Sequence, residues 1–212
     1  MSADTESYGV IAPTGSEFTF DLNGHELEAI PDENGEYAGS AKTKTQAMQL
    51  LKNSTVTLKD GTITSDGGTK MVIQNYSNLT LDNVKVEGHA ADTYVLSNNF
   101  GEIHLKNGTQ INAVEPNIAF DVWYGMHATY DDGVSVYIDT PDVVINGPIE
   151  FGHAKRVADE AQFLERAHLY VCADYDISKL TVINSTPNSD VQYEFVMNSD
   201  LGYWELLPVS QG

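Results

Sequence analysis

The segment Val56-Thr-Leu-Lys-Asp-Gly-Thr-Ile63 sets a pattern that decides the fold. The pattern returns as Leu79-Thr-Leu-Asp-Asn-Val-Lys-Val86 and again as Ile103-His-Leu-Lys-Asn-Gly-Thr-Gln-Ile111, and the two steps between the copies differ by a single position. Each copy alternates apolar and polar residues, and turn-forming residues interrupt the alternation. Alternation with a period of two, rich in Thr and β-branched residues, predicts strands. Because the pattern recurs at a nearly constant spacing, we predict a stack of repeated units.

The same pattern fits at longer spacings on either side of these three copies. It fits three further segments: Phe20-Asp-Leu-Asn-Gly-His-Glu-Leu27, Val143-Val-Ile-Asn-Gly-Pro-Ile149 and Leu180-Thr-Val182. The longer spacings imply insertions between the repeats. The alignment predicts that four apolar residues form one interior column: Leu58, Leu81, Leu105 and Val144.

An apolar pair followed by asparagine precedes three of the predicted strands. The pairs are Met48 and Leu50 before Asn53, Met71 and Ile73 before Asn75, and Val95 and Leu96 before Asn98 and Asn99. Each unit therefore reads strand, Asn-bearing bend, strand, turn, strand. Three short strands per unit favour a parallel β-helix of about six rungs over a leucine-rich repeat or a β-sandwich.

Only two segments carry helix signals. Residues 157–166, Val-Ala-Asp-Glu-Ala-Gln-Phe-Leu-Glu-Arg, predict about two helical turns within an insertion. Residues 41–51 fit either a helix or a strand, because Met48 and Leu50 alternate with polar neighbours. The chain is therefore predicted to be all-β.

The composition is that of a folded, acidic protein. The 212 residues include 31 acidic and 11 basic side chains, which gives a net charge of −20, and 41% of them are hydrophobic. Such a hydrophobic fraction indicates a globular chain. The charge disfavours nucleic acid and anionic membrane surfaces as partners, because both are negative themselves. Cys172 is the single cysteine, so no intramolecular disulfide can form.

The repeats resemble the rungs of right-handed parallel β-helices with the pectin-lyase-like fold. The resemblance rests on residues 56–63, residues 78–86 and Asp21-Leu-Asn-Gly-His25, within a region that runs from residue 15 to residue 190. The Asn-bearing bends look like the asparagine ladder of that family, in which stacked amides satisfy one another. The resemblance implies the fold and leaves function open, because the fold occurs in polysaccharide lyases and hydrolases and in bacteriophage tailspikes, head fibres and capsid decorations.

The resemblance divides the chain into three parts. These are a polar N-terminal arm (residues 1–17), the β-helix (residues 18–190) and a C-terminal hairpin or cap (residues 191–212). The hairpin is predicted from two aromatic, alternating segments around a turn at residues 198–202. Its aromatic face either caps the open end of the strand stack or serves as an association site. The candidate contact residues are Tyr193, Phe195, Tyr203 and Trp204.

The loop at residues 120–132 is the most distinctive insertion. It carries Trp123 and Tyr124 and ends in the acidic pair Asp131 and Asp132. Aromatic side chains beside carboxylates suit a protein contact or carbohydrate stacking. The alternative is that Trp123 and Tyr124 pack the insertion against the strands.

The resemblance to pectin-lyase-like enzymes does not extend to complete catalytic motifs. Lyases of this kind need an Arg or Lys base, but neither occurs in residues 1–41 or 107–154. Hydrolases of this fold use acidic residues and a downstream Gly-His. Asp131, Asp132 and His153 match that pattern only in part. We keep these three as carbohydrate or acid–base candidates and predict no catalytic residue. The six histidines show no metal-ligand spacing, so we predict neither a metal nor a cofactor.

The sequence therefore predicts a non-enzymatic structural protein, of the capsid decoration or head-fibre type found in bacteriophage virions. Expected partners are other virion or capsid proteins and further copies of the chain, with a trimer as one option; surface glycans are another. The alternative is a polysaccharide-binding or polysaccharide-cleaving β-helix protein. Residues 1–7 are polar and acidic and lack the features of a secretion signal. We therefore expect synthesis in a host cytoplasm and residence in a virion; the alternatives are a bacterial cytoplasm or release from the cell.

Overall fold

The computed structural model describes residues 1–40, 43–125, 133–155, 157, 160–187 and 189–209. Strands make up 52% of the structure and helices 4%, so the prediction of an all-β chain is confirmed. In chain order the strands are β1 (Thr5–Ser7), β2 (Val10–Ala12), β3 (Glu17–Asp21), β4 (Glu26–Ala29), β5 (Gln46–Leu50), β6 (Thr55–Ser65), β7 (Met71–Asn75), β8 (Asn78–Glu87), β9 (Tyr94–Asn98), β10 (Gly101–Lys106), β11 (Gln110–Asn112), β12 (Ile118–Tyr124), β13 (Val134–Ile138), β14 (Val144–Asn146), β15 (Ile149–His153), β16 (Ala167–Cys172), β17 (Val182–Asn184), β18 (Tyr193–Asn198) and β19 (Tyr203–Pro208).

Two short helices lie between the later strands. The α-helix α1 (Glu160–Leu164) falls within the predicted helical segment 157–166, and a 3-10 helix covers Ile177–Lys179. Within the segment that fitted either a helix or a strand, Gln46–Leu50 form the strand β5. Within the described ranges, neither helix has the length or the apolar character needed to cross a bilayer.

The strands form two long, mostly parallel sheets. The first sheet follows the order β1-β4-β6-β8-β10-β13-β16-β19-β18, with β3, β11 and β14 at its side, and the second follows β2-β5-β7-β9-β12-β15-β17. Among the described strands, the pairings are parallel except those of β19, which runs antiparallel to β16 and to β18. An isolated antiparallel bridge also joins Ala38 to Gln46. Strands of the two sheets alternate along much of the chain, so each parallel pairing joins neighbouring repeats.

A column of aliphatic side chains lines the interior of the first sheet. Leu58 lies beside Leu81 and Leu81 beside Leu105, and the column continues through Ile138 to Val171. All five side chains are fully shielded from solvent. The predicted stacking of the first three is therefore confirmed.

Val144 does not continue this column, so the prediction for that residue is wrong. It lies beside Gln110 and is 39% exposed, whereas Ile138 on β13 occupies the place beside Leu105. The predicted alignment of Leu180-Thr-Val182 with the same column is also wrong, because Val182 lies beside Ile149 in the second sheet. The run Val143-Val144-Ile145 is apolar at three successive positions, so it does not show which of them faces inward, and in the structure Val143 and Ile145 are the buried ones.

The second sheet has a corresponding interior column. Its seven members lie in register on successive strands: Val10, Met48, Ile73, Leu96, Phe120, Ile149 and Val182. The five central members are fully buried, and Val10 and Val182, on the two outermost strands, are partly exposed. The column thus runs the whole width of the sheet.

Buried amides stack at the bend after β7 and β9, as predicted for two of the asparagines. Asn75 Nδ2 donates to Oδ1 of Asn98 at 3.3 Å, and Asn98 Nδ2 donates to the backbone oxygen of Asp121 at 3.2 Å. Asn53 is not part of this stack. It is exposed with a φ of 58°, and the residue beside Asn75 is Leu50.

The two ends of the chain add strands to the parallel sheets. The predicted C-terminal hairpin forms from β18 and β19, and β19 extends the first sheet from β16. The segment predicted as an N-terminal arm contributes β1 to the first sheet and β2 to the second. Within the described residues, the outermost strand at each end of both sheets therefore pairs with one strand only and has one open edge.

Candidate functional site

A row of aromatic rings crosses the outward face of the first sheet. His104, Tyr137 and Tyr170 occupy equivalent positions on β10, β13 and β16. Ring centroids are 4.7 Å apart for His104 and Tyr137, and 4.9 Å for Tyr137 and Tyr170, with interplanar angles of 9° and 25°. Tyr203 of the hairpin meets Tyr137 and Tyr170 edge-on, at 5.8 Å and 6.3 Å. We call these four residues the aromatic ladder.

The strand pattern explains why these rings face outward and stack. Each of the three stacked rings stands between two aliphatic residues that point into the core, as Tyr137 does between Val136 and Ile138. Successive residues of a strand point to opposite faces, so the ring between them faces out. Neighbouring strands lie about 4.8 Å apart, which is close to the stacking distance of aromatic rings.

Two carboxylates hold the imidazole of His104 at the end of the ladder. Its Nδ1 lies 2.7 Å from Oδ2 of Asp139, and its Nε2 lies 2.9 Å from Oε1 of Glu102. Both ring nitrogens can donate only in the protonated imidazole. The hydrogen bond to Asp139, with that to Glu102, accordingly raises the pKa of His104 despite its partial burial. The two carboxylates thus favour the protonated form of His104.

The same carboxylate links the ladder to the hairpin. The hydroxyl of Tyr203 donates to Oδ1 of Asp139 at 3.0 Å, and burial together with this bond raises the pKa of Tyr203 to about 12. Further along the face, His168 stacks on Tyr170 at 5.5 Å, and its Nδ1 lies 3.8 Å from Oε1 of Glu205 on β19. Contacts between side chains therefore join three parallel strands and the hairpin.

A second group of acids lies on the second sheet. Asp121 and Glu150 are in-register neighbours on β12 and β15. Burial raises the pKa of Asp121 to about 8, although its carboxylate accepts hydrogen bonds from the backbone of Asn98 and from the Ser97 hydroxyl, the latter at 3.2 Å. The hydroxyl of Tyr94 donates to Glu150 at 2.7 Å, and burial, followed by that bond, raises the pKa of Tyr94. Asp121 is only 4% exposed, so this pair offers little open surface for a substrate.

The hairpin residues predicted as contacts are partly used within the chain. Tyr193, Phe195 and Trp204 pack against the core, and the Tyr193 ring meets Phe151 edge-on at 5.0 Å. The indole nitrogen of Trp204 donates to the backbone oxygen of Ala173 at 3.2 Å. Tyr203 lies on the opposite face of the hairpin, in the ladder. One face of the hairpin therefore covers core side chains, and both faces remain partly exposed.

The predicted loop residues lie in different environments. Tyr124 is 1% exposed and packs in the core, whereas the neighbouring Trp123 on β12 is half-buried. His153 is buried on β15, with its ring 4.8 Å from Phe163 and Nδ1 3.0 Å from the backbone oxygen of Ala154. Asp131 and Asp132 lie outside the described residues. Among these candidates, Trp123 therefore retains partial exposure, whereas Tyr124 and His153 do not present an open surface.

The aromatic ladder is the site that the sequence analysis missed. Its signal is present, because the interval from His104 to Tyr137 equals that from Tyr137 to Tyr170, and each residue stands between two aliphatic ones. The incorrect alignment of Val143–Ile149 with the core column placed β14 rather than β13 after β10, so the equal intervals were not recognised. In the described part of the chain, no group of three or more His, Cys, Asp and Glu side chains is placed to hold a metal ion.

Comparisons of the chain with protein-family models, with curated proteins and with solved structures gave no match.

Proposed function

We propose that the chain is a right-handed parallel β-helix of the pectin-lyase-like kind and acts as a non-enzymatic structural protein. The proposed role is that of a bacteriophage virion component, of the capsid decoration or head-fibre type, that works through protein–protein contacts. Its partners would be other virion or capsid proteins and further copies of itself.

The strand pairing supports the β-helix. Paired residues of β6, β8 and β10 recur at a nearly constant spacing, and strands of the second sheet lie between them along the chain. A parallel strand that returns to the same sheet through such a crossover almost always does so with a right-handed turn. The two aliphatic columns would then form one continuous interior.

The observation that carries the non-enzymatic role is that the polar and aromatic groups of the outward face engage one another. Both faces of the Tyr137 ring are occupied, by His104 and by Tyr170. Asp139 accepts hydrogen bonds on both oxygens, and His104 is held through both nitrogens. A sugar ring stacks on a free aromatic face, and a general acid or base needs an atom within reach of its substrate. This arrangement favours rigidity over ligand turnover.

A second candidate function, polysaccharide binding, is favoured by one observation. A groove of about 320 Å³ lies beside the ladder and is lined by hydroxyl, amide and carboxylate groups, among them Asn53, Asn78, Glu102 and Ser135. Such groups suit the hydroxyls of a sugar. Glu102 is shared between this groove and His104, so a bound glycan would compete with the His104 contact.

Particles released from the strain that carries the gene provide the test. We expect mass spectrometry of purified particles to find the chain at a constant ratio to the major capsid protein. Purified chain incubated with acidic and neutral polysaccharides should release no oligosaccharides. Two results together would instead establish the second function. The chain would be absent from the particles, and it would bind glycan in a way that Ser135→Trp in the groove abolishes and Val144→Trp, at an exposed site outside the groove, preserves.

A further inference from the structure

We propose that two copies of this chain associate through the outer edge of β18, paired antiparallel about a two-fold axis. The inference rests on the proposed function in that it names one protein partner, the chain itself. It concerns an edge of the first sheet that the aromatic ladder does not use.

Strand β18 presents backbone groups that no other strand of the described residues covers. It is the last strand of the first sheet, and among the described residues its only strand partner is β19. The backbone nitrogen of Val209 donates to the oxygen of Gln192 at 2.8 Å. Hydrogen-bonded and non-hydrogen-bonded residue pairs alternate along an antiparallel ladder, so this bond fixes which residues of β18 bond to β19. Phe195 and Met197 therefore direct their N–H and C=O groups away from β19, where they can form the next ladder of hydrogen bonds.

The side chains of this edge favour association. Val196 on β18 is 42% exposed, and Leu201 and Val209, which flank the hairpin strands, are 54% and 39% exposed. Strand β18 holds a single charged residue, Glu194, and neither lysine nor proline. Edge strands that avoid pairing generally carry lysine, proline or inward charges. The edge of β18 thus lacks the usual protection against a second strand.

The opposite end of the sheets is charged and should resist self-association. Exposed or half-exposed acids lie on β1, β3 and β4: Glu6, Glu17, Glu26 and Glu28. Asp4 joins three of them around a shallow groove. Two such ends would bring like charges together, at a cost that salt screens only in part. Of the two ends of the first sheet, this contrast favours β18 as the edge where a second copy docks.

The sequence of β18 is compatible with pairing to itself. With the two-fold axis at Val196, that residue meets its own copy, and Phe195 lies opposite Met197 of the partner subunit. Glu194 then lies opposite Asn198 of the partner subunit, so the two Glu194 carboxylates do not face each other. Pairing of this kind consumes the edge on both chains, so it closes at a dimer and gives no trimer.

Sedimentation of the full chain tests the proposal, with two matched variants. We expect wild type to approach twice the chain mass as its concentration rises and Val196→Lys to remain at the single-chain mass. Val144→Lys, at a valine of similar exposure on β14, should behave as wild type. Hydrogen exchange adds a measurement that needs no variant. The amides of Phe195 and Met197 should become at least tenfold better protected in the dimer, while those of β1 should not change.

A wild-type chain that stays at single-chain mass, or forms a trimer, would overturn the dimer. So would equal effects of the two lysine variants, or unchanged exchange in β18. The outcome is separable from that for the proposed function. A chain that is monomeric in solution yet present at a constant ratio in particles refutes the dimer alone, and a dimer absent from particles refutes the virion role alone.

Discussion

The carboxylate of Asp139 binds Tyr203 and His104 at the same time. The Tyr203 hydroxyl donates to Oδ1 of Asp139 at 3.0 Å, while Nδ1 of His104 lies 2.7 Å from its Oδ2. Asp139 follows β13, whereas His104 lies on β10 and Tyr203 on β19. A single side chain therefore connects two parallel strands to the antiparallel hairpin, and its removal should loosen the hairpin.

The Tyr203→Phe variant measures that connection directly. Because the ring is retained and only the hydrogen bond to a carboxylate is lost, we expect the free energy of unfolding to fall by about 1 to 2 kcal/mol. Urea unfolding followed by circular dichroism gives the value. Tyr8→Phe is the control, since Tyr8 is 63% exposed. Equal stability of the two variants would show that the bond to Asp139 contributes nothing.

The raised pKa of His104 predicts that stability depends on pH. In the unfolded chain His104 titrates near pH 6.5, and below that pH its imidazole is protonated in both the folded and the unfolded chain. Below that pH the contacts of His104 with Asp139 and Glu102 contribute their full stabilisation of the folded state. This stabilisation is lost as the pH rises through the higher pKa of folded His104. We expect His104→Gln to flatten the decline in unfolding free energy above about pH 6.5. An unchanged decline would exclude His104 as its source.

Asp121 should produce a separate decline at lower pH. The unfolded carboxyl loses its proton near pH 4, whereas the folded one, with its pKa raised to about 8, retains it. Between these values the folded state binds more protons, so stability falls as the pH rises. We expect Asp121→Asn to remove this slope and to be more stable than wild type at about pH 8. Urea unfolding measured between about pH 4 and pH 8 should compare wild type, Asp121→Asn and the control Asp82→Asn, in which the exchanged side chain faces outward. If unfolding free energy falls with pH by the same slope in all three proteins, Asp121 is not its source.

The interior column gives the largest expected loss. Leu81→Ala deletes a fully buried side chain between Leu58 and Leu105 and should cost about 2 to 5 kcal/mol. Val144→Ala, at a site that is 39% exposed, should cost much less. Thermal and chemical unfolding of both variants compare the two positions. Similar losses would contradict the interior position of Leu81.

The sequence predicts the central repeats better than the later ones, for a physical reason. The step from Leu58 to Leu81 and the step from Leu81 to Leu105 are almost equal, so the alternation and the spacing agree on one register. After Leu105 an insertion moves the next strand of the column to β13, whereas β14 lies in a run of three apolar residues, Val143 to Ile145, that fits the pattern in either phase. Alternation determines which residues face inward, but it carries no information about which strand comes next.

The aromatic ladder could not be predicted from the sequence for the same reason. His104 alone reads as a polar residue on an outward face, and Tyr137 and Tyr170 alone read as ordinary strand residues. Their relation depends on register, because only in-register strands bring such distant positions of the chain into contact. The bonds from Asp139 to His104 and Tyr203 depend further on the antiparallel return of β19, which local sequence does not specify.

The hairpin also determines the order in which the fold can be completed. Pairing of β10 with β13 joins Leu105 to Ile138 across a long connection, whereas the hairpin joins Asn198 to Tyr203 across a short turn. Short loops close faster than long ones, so the hairpin contacts can form soon after residue 208 leaves the ribosome. Until then, the growing sheet ends at β16 with an uncovered edge. A chain that stops before residue 193 would keep that edge uncovered after synthesis as well, and aggregation is the expected result.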